Sequence, residues 1–198
     1  MPLLRVWDCN PHSRAAIWKV TEPEIFFWEQ TELQTELKSE KRRLEFLAGR
    51  FLLKYLQPTF PLAEIIADSQ DKPRIPHNHF FFSISHSFPF IAAVVSETNE
   101  CGIDIQVWHK RMLDLQHKFL SVDEQSIFKN DSKLITLAWC AKEAAYKRNG
   151  KRGVDFIKQL PIKQFEERTG KLGIMVDNAQ KIFLQAGMEE DYAWSVVV

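Results

Sequence analysis

Apolar positions along the chain recur with two periods, and the change from one period to the other predicts the order of helices and strands. Runs in which every second residue or nearly every residue is apolar predict strands at 3–7, 15–20, 80–84, 90–96, 102–108, 181–186 and 193–198. Runs in which apolar residues recur every three or four positions predict helices at 21–30, 36–57, 121–129 and 132–148. Pro58 and Asn149-Gly150 are the stop signals of the two longest helices. This mixture predicts an α+β protein.

The order of the predicted elements repeats along the chain. A long helix followed by a pair of strands occurs at 36–57 with 80–96, and again at 132–148 with 181–198. The strand pairs also close on similar segments, Ile91-Ala-Ala-Val-Val and Ala193-Trp-Ser-Val-Val. Repeated element order is typical of internal duplication. We therefore predict two similar α/β halves, 1–98 and 99–198, that together form one compact unit.

Local patterns assign faces and turns to some of these elements. The helix at 36–57 is predicted to have an apolar stripe and a separate basic face. The stripe comprises Leu44, Leu47, Ala48, Phe51 and Tyr55, and the basic face comprises Arg43, Arg50 and Lys54. The segment from His86 to Pro89 is predicted to reverse the chain between two strands. Ser121-x-x-Glu124 matches a capping box, which predicts the start of a helix.

Composition narrows the class of protein. Hydrophobic residues make up 45% of the chain, and its 26 basic residues balance its 26 acidic ones. This balance argues against a general binder of nucleic acid or membrane surfaces, so a polyanion would have to bind through local clusters of charge. No apolar run approaches the ~18 residues that span a bilayer, and the three cysteines form no CxxC pair. We expect a cytoplasmic protein without a disulfide framework or a zinc site.

The predicted helix at 132–148 carries the first candidate for chemistry. Trp139, Glu143 and Lys147 are four residues apart, so they share one face. An isolated Glu-x-x-x-Lys pair is usually just an exposed ion pair on a helix. The bulky Trp139 favours partial burial of this face, and a buried carboxylate needs a cation or a metal ion beside it.

Asp104 is the second candidate, because it interrupts the apolar strand predicted at 102–108. An aspartate at the solvent edge of a strand is the ordinary alternative. If the side chain is buried, Asp104 and Glu143 could share one Mg²⁺, a hard cation that takes oxygen ligands and keeps positions for water and phosphate. The sequence therefore allows a magnesium site that joins this strand to the helix.

Groups that could bind phosphate occur elsewhere in the chain. Ser83-Ile-Ser85-His86-Ser87 places several hydrogen-bond donors at the end of a strand, and Asp71-Lys72-Pro73 places a lysine before a rigid turn. Arg43 and Arg50 share a helix face. Each feature alone is usually solvated surface, but together they form the local basic clusters that a small polyphosphate requires.

These segments, in this order, resemble the signature motifs of the Sfp-type 4′-phosphopantetheinyl transferases, part of the holo-acyl-carrier-protein synthase superfamily. The two main motifs are Cys101-Gly-Ile-Asp104 and Trp139-Cys-Ala-Lys142-Glu143-Ala-Ala-Tyr-Lys147. The upstream motifs are Arg43-Leu-Glu-Phe-Leu-Ala-Gly-Arg50, Lys72-Pro73 and Ser85-His86-Ser87. The resemblance covers roughly residues 41–153, and its specificity comes from the order of the motifs rather than from any one of them.

The resemblance implies a fold and an activity. The fold would be α+β, with two similar α/β halves related by pseudo-twofold symmetry and an active site in the cleft between them. The first half would contact the phosphates of coenzyme A, and the second would carry the magnesium and catalytic motifs. The activity would be Mg²⁺-dependent transfer of 4′-phosphopantetheine from coenzyme A to a serine of an apo acyl-, aryl- or peptidyl-carrier protein, with release of 3′,5′-ADP. Neither nucleic acid nor membrane is an expected partner, and a monomer is the default.

The resemblance also implies roles for individual residues. Asp104 and Glu143 would ligate Mg²⁺, with Gln106 as a further ligand, directly or through water. Glu143 would also deprotonate the carrier serine, while Lys147 and His86 would contact the pyrophosphate. The other coenzyme A contacts implied by the motifs are Arg43, Arg50, Lys72, Pro73, Ser85 and Lys142.

The chain departs from the family pattern at two of these motifs. Gln106 stands where many members have glutamate, which removes one negative charge and predicts weaker Mg²⁺ binding rather than inactivity. Asp71 stands where the family prefers glycine before Lys-Pro, so the family pattern alone does not establish the geometry of that turn or the role of Lys72.

Two other classes of protein compete with this interpretation. The first is a catalytically impaired module that binds coenzyme A or a carrier protein, and only Gln106 favours it. The presence of Asp104, Glu143 and Lys147 together argues against this class, because a binding module has no need for a base and a metal site. An unrelated Mg²⁺-dependent nucleotide enzyme would be expected to use ATP or GTP, but the chain has no G-x-x-x-x-G-K-[ST] loop.

Surface cations that could meet an acidic carrier helix are Lys110, Arg111, Lys118 and Lys129.

Overall fold

A computed structural model describes residues 2–70, 72–76 and 80–198 of the chain. The chain divides into two compact units, Met1–Cys101 with Val198, and Gly102–Val197. Each unit combines helices with an antiparallel sheet, so the α+β class is confirmed. The pseudo-twofold relation and the roles assigned to the halves 1–98 and 99–198 stay predictions.

The first unit is built on a four-stranded antiparallel sheet and has a separate two-stranded sheet. The strands of the unit are β1 (Leu3–Asn10), β2 (Ser13–Lys19), β3 (Ile66–Ala67), β4 (Pro73–Arg74), β5 (Phe81–Ser87) and β6 (Phe90–Ser96). Its helices are α1 (Glu24–Thr31) and α2 (Glu40–Leu56), followed by a short 3-10 turn at Leu62–Glu64. The four-stranded sheet has the order β1-β2-β6-β5, and β3 and β4 form a separate pair. The predicted strands and helices of this half are confirmed, with bounds that differ by a few residues.

Helix α2 packs on this sheet through an apolar stripe that differs in part from the predicted one. Leu47 and Ala48 are buried as predicted, and Leu52, Leu53 and Leu56 complete the buried face. Phe51 is half-buried, with its ring 5.1 Å from that of Trp18. The inclusion of Tyr55 was wrong, since 42% of it is exposed. The leucines on the neighbouring positions face the sheet instead and turn Tyr55 towards solvent.

The reversal between β5 and β6 is tighter than predicted. Residues 88 and 89 alone separate the two strands, and His86 and Ser87 lie on β5, opposite Ile91 and Phe90 of β6. The prediction that His86 and Ser87 belong to the turn was therefore wrong. Strand pairing continues through them because two residues are enough to reverse an antiparallel pair.

The second unit is built on a five-stranded antiparallel sheet. Its strands are β7 (Gly102–Val107), β8 (Ile162–Glu166), β9 (Lys171–Val176), β10 (Gln180–Met188) and β11 (Tyr192–Val197). Its helices are α3 (Met112–Leu115), α4 (Val122–Ile127) and α5 (Ser132–Asn149), with a 3-10 turn at Gln116–Lys118. The sheet order is β7-β11-β10-β9-β8. The predicted closing strand pair is confirmed as β10 and β11, but β8 and β9 were missed.

Capping interactions define the start of α4 and both ends of α5. The capping box at the start of α4 is confirmed, with reciprocal hydrogen bonds between Ser121 and Glu124. The Asp131 side chain accepts from the backbone N–H groups of Lys133 and Leu134 and starts α5. Gly150 ends α5 in the left-handed conformation, at φ 70°, as its position after Asn149 predicts. Within the described residues, no helix has the length and apolarity needed to cross a membrane.

Candidate functional site

Asp104 is a buried carboxylate on β7 with a lysine beside it. Its exposed fraction is 6%, and it stands opposite Ser195 of β11 in the sheet. The Lys147 ammonium donates to Asp104 Oδ1 at 2.7 Å and to the carbonyl of Ile103 at 3.1 Å. The alternative of an aspartate at a solvent edge therefore does not hold. Because burial of an unpaired carboxylate is costly, the ion pair with Lys147 helps to stabilise Asp104 at this position.

Gly102 allows α5 to approach β7 closely enough for this pairing. A Cβ atom at residue 102 would lie 2.0 Å from the carbonyl oxygen of Ala144 and 2.9 Å from the backbone nitrogen of Arg148. Ala141, Ala144 and Ala145 have no exposed surface. Small residues on both sides thus bring the helix backbone onto the strand. The consequence is that Glu143 and Lys147, on α5, come near Asp104, on β7.

Glu143 is half-buried and sits in the field of Asp104. Burial and the negative charge of Asp104 together raise the pKa of Glu143 to about 7, although Lys147 partly opposes both. A carboxyl group with a pKa near 7 exchanges a proton easily at neutral pH. The same two causes, burial and the Asp104 charge, hold the pKa of the enclosed Cys140 thiol well above its usual range.

The donor set on β7 and α5 fits a divalent cation that also binds phosphate. Asp104 and Glu143 supply carboxylate oxygens, and Gln106, two residues after Asp104, is half-buried and donates its amide N–H to the carbonyl of Val107 at 3.3 Å. Mg²⁺ is typically held by one or two carboxylates, water and substrate phosphates rather than by a full protein cage. The described residues contain no group of three or more His, Cys, Asp and Glu side chains arranged around a metal position.

Lys142 requires a correction. The resemblance implied that it contacts coenzyme A, but its side chain has no exposed surface. Its ammonium lies 2.6 Å from Glu124 Oε1 and donates to the carbonyls of Phe119 at 2.7 Å and Phe156 at 3.0 Å. Three acceptors match the three N–H groups of the ammonium, so none remains for a ligand. Lys142, which directly precedes Glu143 on α5, therefore points towards the core and not towards the face that carries Glu143.

An apolar cavity of about 520 Å³ lies in the second unit and borders α5 at Trp139. Its wall includes Met112, Leu115, Phe119, Trp139, Val154 and Phe156. The Trp139 ring stacks edge-on against Phe119, with centroids 4.9 Å apart, and lies tilted to Phe156 at 5.7 Å. Trp139, which lines the cavity, is one helical turn from Glu143 on α5. Lys118, one of the predicted carrier contacts, also lines the cavity.

In the first unit, the two arginines of the basic face of α2 have different surroundings. Arg43 donates through Nε to both carboxylate oxygens of Glu24, at 2.8 and 3.0 Å, and thereby ties α2 to α1. Arg50 lies over the Phe46 ring at 3.5 Å from its centroid, and burial lowers the pKa of Arg50 to about 10. Among the described residues, no carboxylate pairs with Arg50. A half-buried guanidinium without an anion partner is a candidate for a phosphate contact.

The Lys-Pro turn holds a network of ion pairs. Lys72 lies 2.7 Å from Glu100, and Arg74 contacts both Glu100 and Asp68. Pro73 is on β4, paired with Ala67. Asp71, the other departure from the family pattern, lies outside the described residues. In this arrangement a phosphate would compete with Glu100 for Lys72.

Ser85 and His86 lie next to each other on β5, and His86 has a partner that sequence reasoning missed. Ser85 is buried, whereas half of the His86 side chain is exposed. His86 Nδ1 is 3.5 Å from Oε2 of Glu45, a buried carboxylate on α2 that also lies 3.9 Å from Lys41. The signal for Glu45 was present, since an acidic residue at a core-facing position of an amphipathic helix needs a cationic partner.

The structure thus brings Asp104, Glu143 and Lys147 together within the second unit. Arg43, Arg50, Lys72, Ser85 and His86 belong to the first unit. The pairing of predicted site residues with Glu24, Glu45, Glu100 and Glu124 was not anticipated. Each is distant in sequence from its cation except in the Lys41–Glu45 pair.

Comparison with known proteins places this geometry in a family. Residues 100–197 match the family model described as the 4′-phosphopantetheinyl transferase superfamily, and residues 32–96 match the 4′-phosphopantetheinyl transferase N-terminal domain. The 4′-phosphopantetheinyl transferase AcpT of Escherichia coli O157:H7 is 39% identical over 80 residues, which is 40% of each chain. AcpT of Salmonella typhi is 32% identical over 117 residues, covering 55% of this chain and 60% of the relative.

The matched part of this chain therefore spans about 40 to 60% of the length of these curated relatives. The two family models are consecutive and divide the chain close to the boundary between its compact units. The strand with Asp104 and the helix with Glu143 and Lys147 both lie inside the superfamily match. On these grounds the chain belongs to the 4′-phosphopantetheinyl transferase superfamily.

Proposed function

We propose that this protein transfers the 4′-phosphopantetheine group of coenzyme A to a serine hydroxyl of an apo carrier protein and releases 3′,5′-ADP. The observation that carries the proposal is the cluster on β7 and α5, in which a buried Asp104 is paired with Lys147, and burial together with the Asp104 charge raises the pKa of Glu143. A carboxylate near neutrality beside a cation is suited to accepting a proton while a phosphate is held nearby.

In the proposed reaction, the serine oxygen attacks the β-phosphorus of coenzyme A. A new oxygen–phosphorus bond forms, the bond from that phosphorus to the bridging pyrophosphate oxygen breaks, and the bridging oxygen leaves with 3′,5′-ADP. Glu143 accepts the serine proton, directly or through water, and a general base of this kind contributes roughly 10²–10⁴-fold. Lys147 stabilises negative charge on the pyrophosphate, for which it must exchange part of its contact with Asp104.

Asp104 and Glu143 would hold Mg²⁺, with Gln106 as a further ligand, directly or through water. When bound, the metal would supply charge neutralisation at the phosphoryl oxygens. Its binding would also favour the deprotonated form of Glu143, because a nearby cation lowers the pKa of a carboxyl group.

The remaining parts of coenzyme A have candidate partners by chemical type. The pantetheine arm, which is largely uncharged, suits the apolar cavity beside Trp139, and about 520 Å³ lies within the range of small-molecule pockets. The phosphates of the 3′-phospho-ADP end suit Arg50, Lys72 and His86. We assign Arg43 mainly to the tie between α1 and α2, since Glu24 already accepts its Nε–H group.

The proposal extends to setting and partners. The carrier is an acyl-, aryl- or peptidyl-carrier protein, met by cations such as Lys110, Arg111 and Lys118 near the cavity. Lys129 is paired with Glu167 and is a weaker candidate. The enzyme is proposed to work as a cytoplasmic monomer, with coenzyme A as co-substrate and with neither nucleic acid nor membrane as a partner.

The test is mass spectrometry of several apo carrier proteins incubated with this protein, coenzyme A and Mg²⁺. The expected result is a gain of one phosphopantetheine group on at least one carrier, absent when the carrier serine is replaced by alanine and abolished by Glu143→Ala. Binding of coenzyme A without any transfer would contradict the proposal. That result would support the second candidate, a catalytically impaired binding module, which the glutamine at position 106 favours.

A further inference from the structure

The ion pair Lys142–Glu124 is enclosed in the second unit, and the proposed reaction does not use it. Lys142 Nζ lies 2.6 Å from Glu124 Oε1, and the side chains are 0% and 3% exposed. Glu124 also accepts from the backbone N–H groups of Ser121 and Ile162, both at 2.7 Å. Every charged and polar group of the pair is therefore compensated by a partner. Such a complete network holds several chain segments in one arrangement.

The network ends on the wall of the apolar cavity. Besides Glu124, the Lys142 ammonium donates to the backbone carbonyls of Phe119 and Phe156. These are the two residues whose rings contact Trp139, and all three line the cavity. Phe119 follows a 3-10 turn, and Phe156 lies in the segment after α5, so neither backbone position is fixed by a long helix or by a strand. One ammonium group thus holds two otherwise independent walls of the cavity.

We propose that Lys142 and Glu124 are positioning residues that fix the Phe119 and Phe156 walls around Trp139, and thereby set the affinity of the cavity for the uncharged arm of coenzyme A. The inference rests on the proposed function, because that function places the arm in the cavity. It assigns Lys142 a role through two backbone carbonyls instead of a direct contact with the ligand. It also explains why a lysine is found on the core side of α5, where an apolar residue would otherwise be expected.

The geometry predicts a loss of affinity that depends on whether the ligand has the pantetheine arm. Lys142→Met keeps an unbranched side chain but removes all three donors, which releases the carbonyls of Phe119 and Phe156. The affinity for coenzyme A should fall, since its arm needs the cavity walls. The affinity for 3′,5′-ADP, which has no arm, should stay the same.

The first measurement is calorimetric binding of coenzyme A and of 3′,5′-ADP to the full chain. We expect Lys142→Met and Glu124→Gln to weaken coenzyme A binding by about tenfold while leaving 3′,5′-ADP binding unchanged. Glu124→Gln keeps the size of the side chain and one acceptor oxygen but removes the charge that faces Lys142, so it serves as the second variant if Lys142→Met does not fold. Thr136→Val is the matched control, because Thr136 is also buried on α5 but donates only to Ser132 of its own helix.

The second measurement needs neither coenzyme A nor turnover. In protein labelled with 5-fluorotryptophan, the fluorine resonance of Trp139 is identified by its absence in Trp139→Phe. It should shift in Lys142→Met and Glu124→Gln but not in Thr136→Val. Equal loss of both ligands, wild-type affinity for coenzyme A, or an unmoved Trp139 resonance in both variants would each overturn the inference.

The two levels of the proposal fail in different ways. A wild-type protein that binds coenzyme A but modifies no carrier overturns the transferase activity and leaves the binding comparison intact. A wild-type protein that binds no coenzyme A overturns both the proposed function and the role assigned to the cavity.

Discussion

The Lys147 ammonium lies 2.7 Å from Oδ1 of Asp104, and this contact joins helix α5 to strand β7 at the point where the site is built. Asp104 is nearly inaccessible, whereas about a quarter of the Lys147 side chain is exposed. The pair is therefore asymmetric: the carboxylate depends on the lysine, while the lysine can still reach a ligand. This asymmetry would allow the Lys147 ammonium to contact both Asp104 and a phosphate of the substrate.

Removing the lysine should destabilise the fold. Lys147→Met leaves Asp104 buried without its cation, and we expect the free energy of unfolding to fall by about 2 kcal/mol, less than for a fully enclosed pair because Lys147 is partly exposed. In the double variant Asp104→Asn/Lys147→Met the loss should be smaller than the sum of the single losses. Urea unfolding measures all three. Lys151→Met, which breaks the exposed Lys151–Asp177 pair, is the control and should change little. Additive losses would show that the two residues act independently.

Glu143 should make the metal-free protein less stable as the pH rises. Its folded pKa, about 7, lies above the ordinary value of 4.5, so between these values the folded state binds more protons than the unfolded state. Stability then decreases with rising pH across this window, by a total of about 3 kcal/mol. Glu143→Gln should remove the decrease. Thermal unfolding from pH 4 to 8 in a chelator tests this, with the exposed Glu190→Gln as the control. A wild-type curve parallel to that of Glu143→Gln would contradict the raised pKa.

Gly102 is expected to be intolerant of any side chain. Gly102→Ala would place a Cβ 2.0 Å from the Ala144 carbonyl oxygen, and the nearest atoms all belong to the backbone of α5, which cannot move aside as a side chain could. We expect a loss of several kcal/mol or failure to fold. Gly49→Ala is the matched control, because its nearest neighbour is Cγ2 of Ile84 at 2.9 Å, a side chain that can move. If circular dichroism and urea unfolding gave equal losses for both variants, the close approach of β7 and α5 would not be what requires glycine at 102.

The extent to which these features could be predicted differs between the two sides of α5. Asp104, Glu143 and Lys147 followed from the sequence, because an acidic residue in an apolar strand and a four-residue helical spacing are local patterns. Lys142 could not be placed in the same way. Its partner Glu124 is on another helix, and only the tertiary packing decides that this lysine faces inwards.

Similar reasons explain the errors in the fold. Strand β8 carries polar residues on an exposed face and has only Ile162 fully buried, so its alternation was too weak to recognise. Helix α2 offers apolar residues on more than half of its circumference. Periodicity alone could not choose between Tyr55 and Leu56 for the core, and the position of the sheet makes that choice. Long-range pairs such as Lys72–Glu100 and Arg43–Glu24 are likewise set by the fold rather than by local sequence.

The two arginines of α2 should separate into a binding role and a structural role. Arg50→Met removes a half-buried cation that pairs with no carboxylate in the described part of the chain, so stability should stay near the wild-type value while 3′,5′-ADP binding weakens by about tenfold. Arg43→Met breaks the contact with Glu24 and should lower stability with little effect on binding. Calorimetry and urea unfolding of both variants make the comparison. The opposite pattern would assign the phosphate to Arg43.

Gln106 determines how much negative charge surrounds the proposed metal position. Gln106→Glu would add a carboxylate two residues from Asp104 on the same strand face, and a hard divalent cation binds more tightly as the ligand charge increases. We expect the Mg²⁺ concentration for half-maximal transfer to fall. In a chelator the same variant should be less stable than the wild type, because a third carboxylate then repels Asp104 and Glu143 without a cation to neutralise it. Gln185→Glu, at an exposed position of the same sheet, is the matched control for the added charge. An unchanged half-saturation with unchanged stability would mean that residue 106 does not face the metal, and the ligand set would then reduce to Asp104, Glu143 and the phosphates of the substrate.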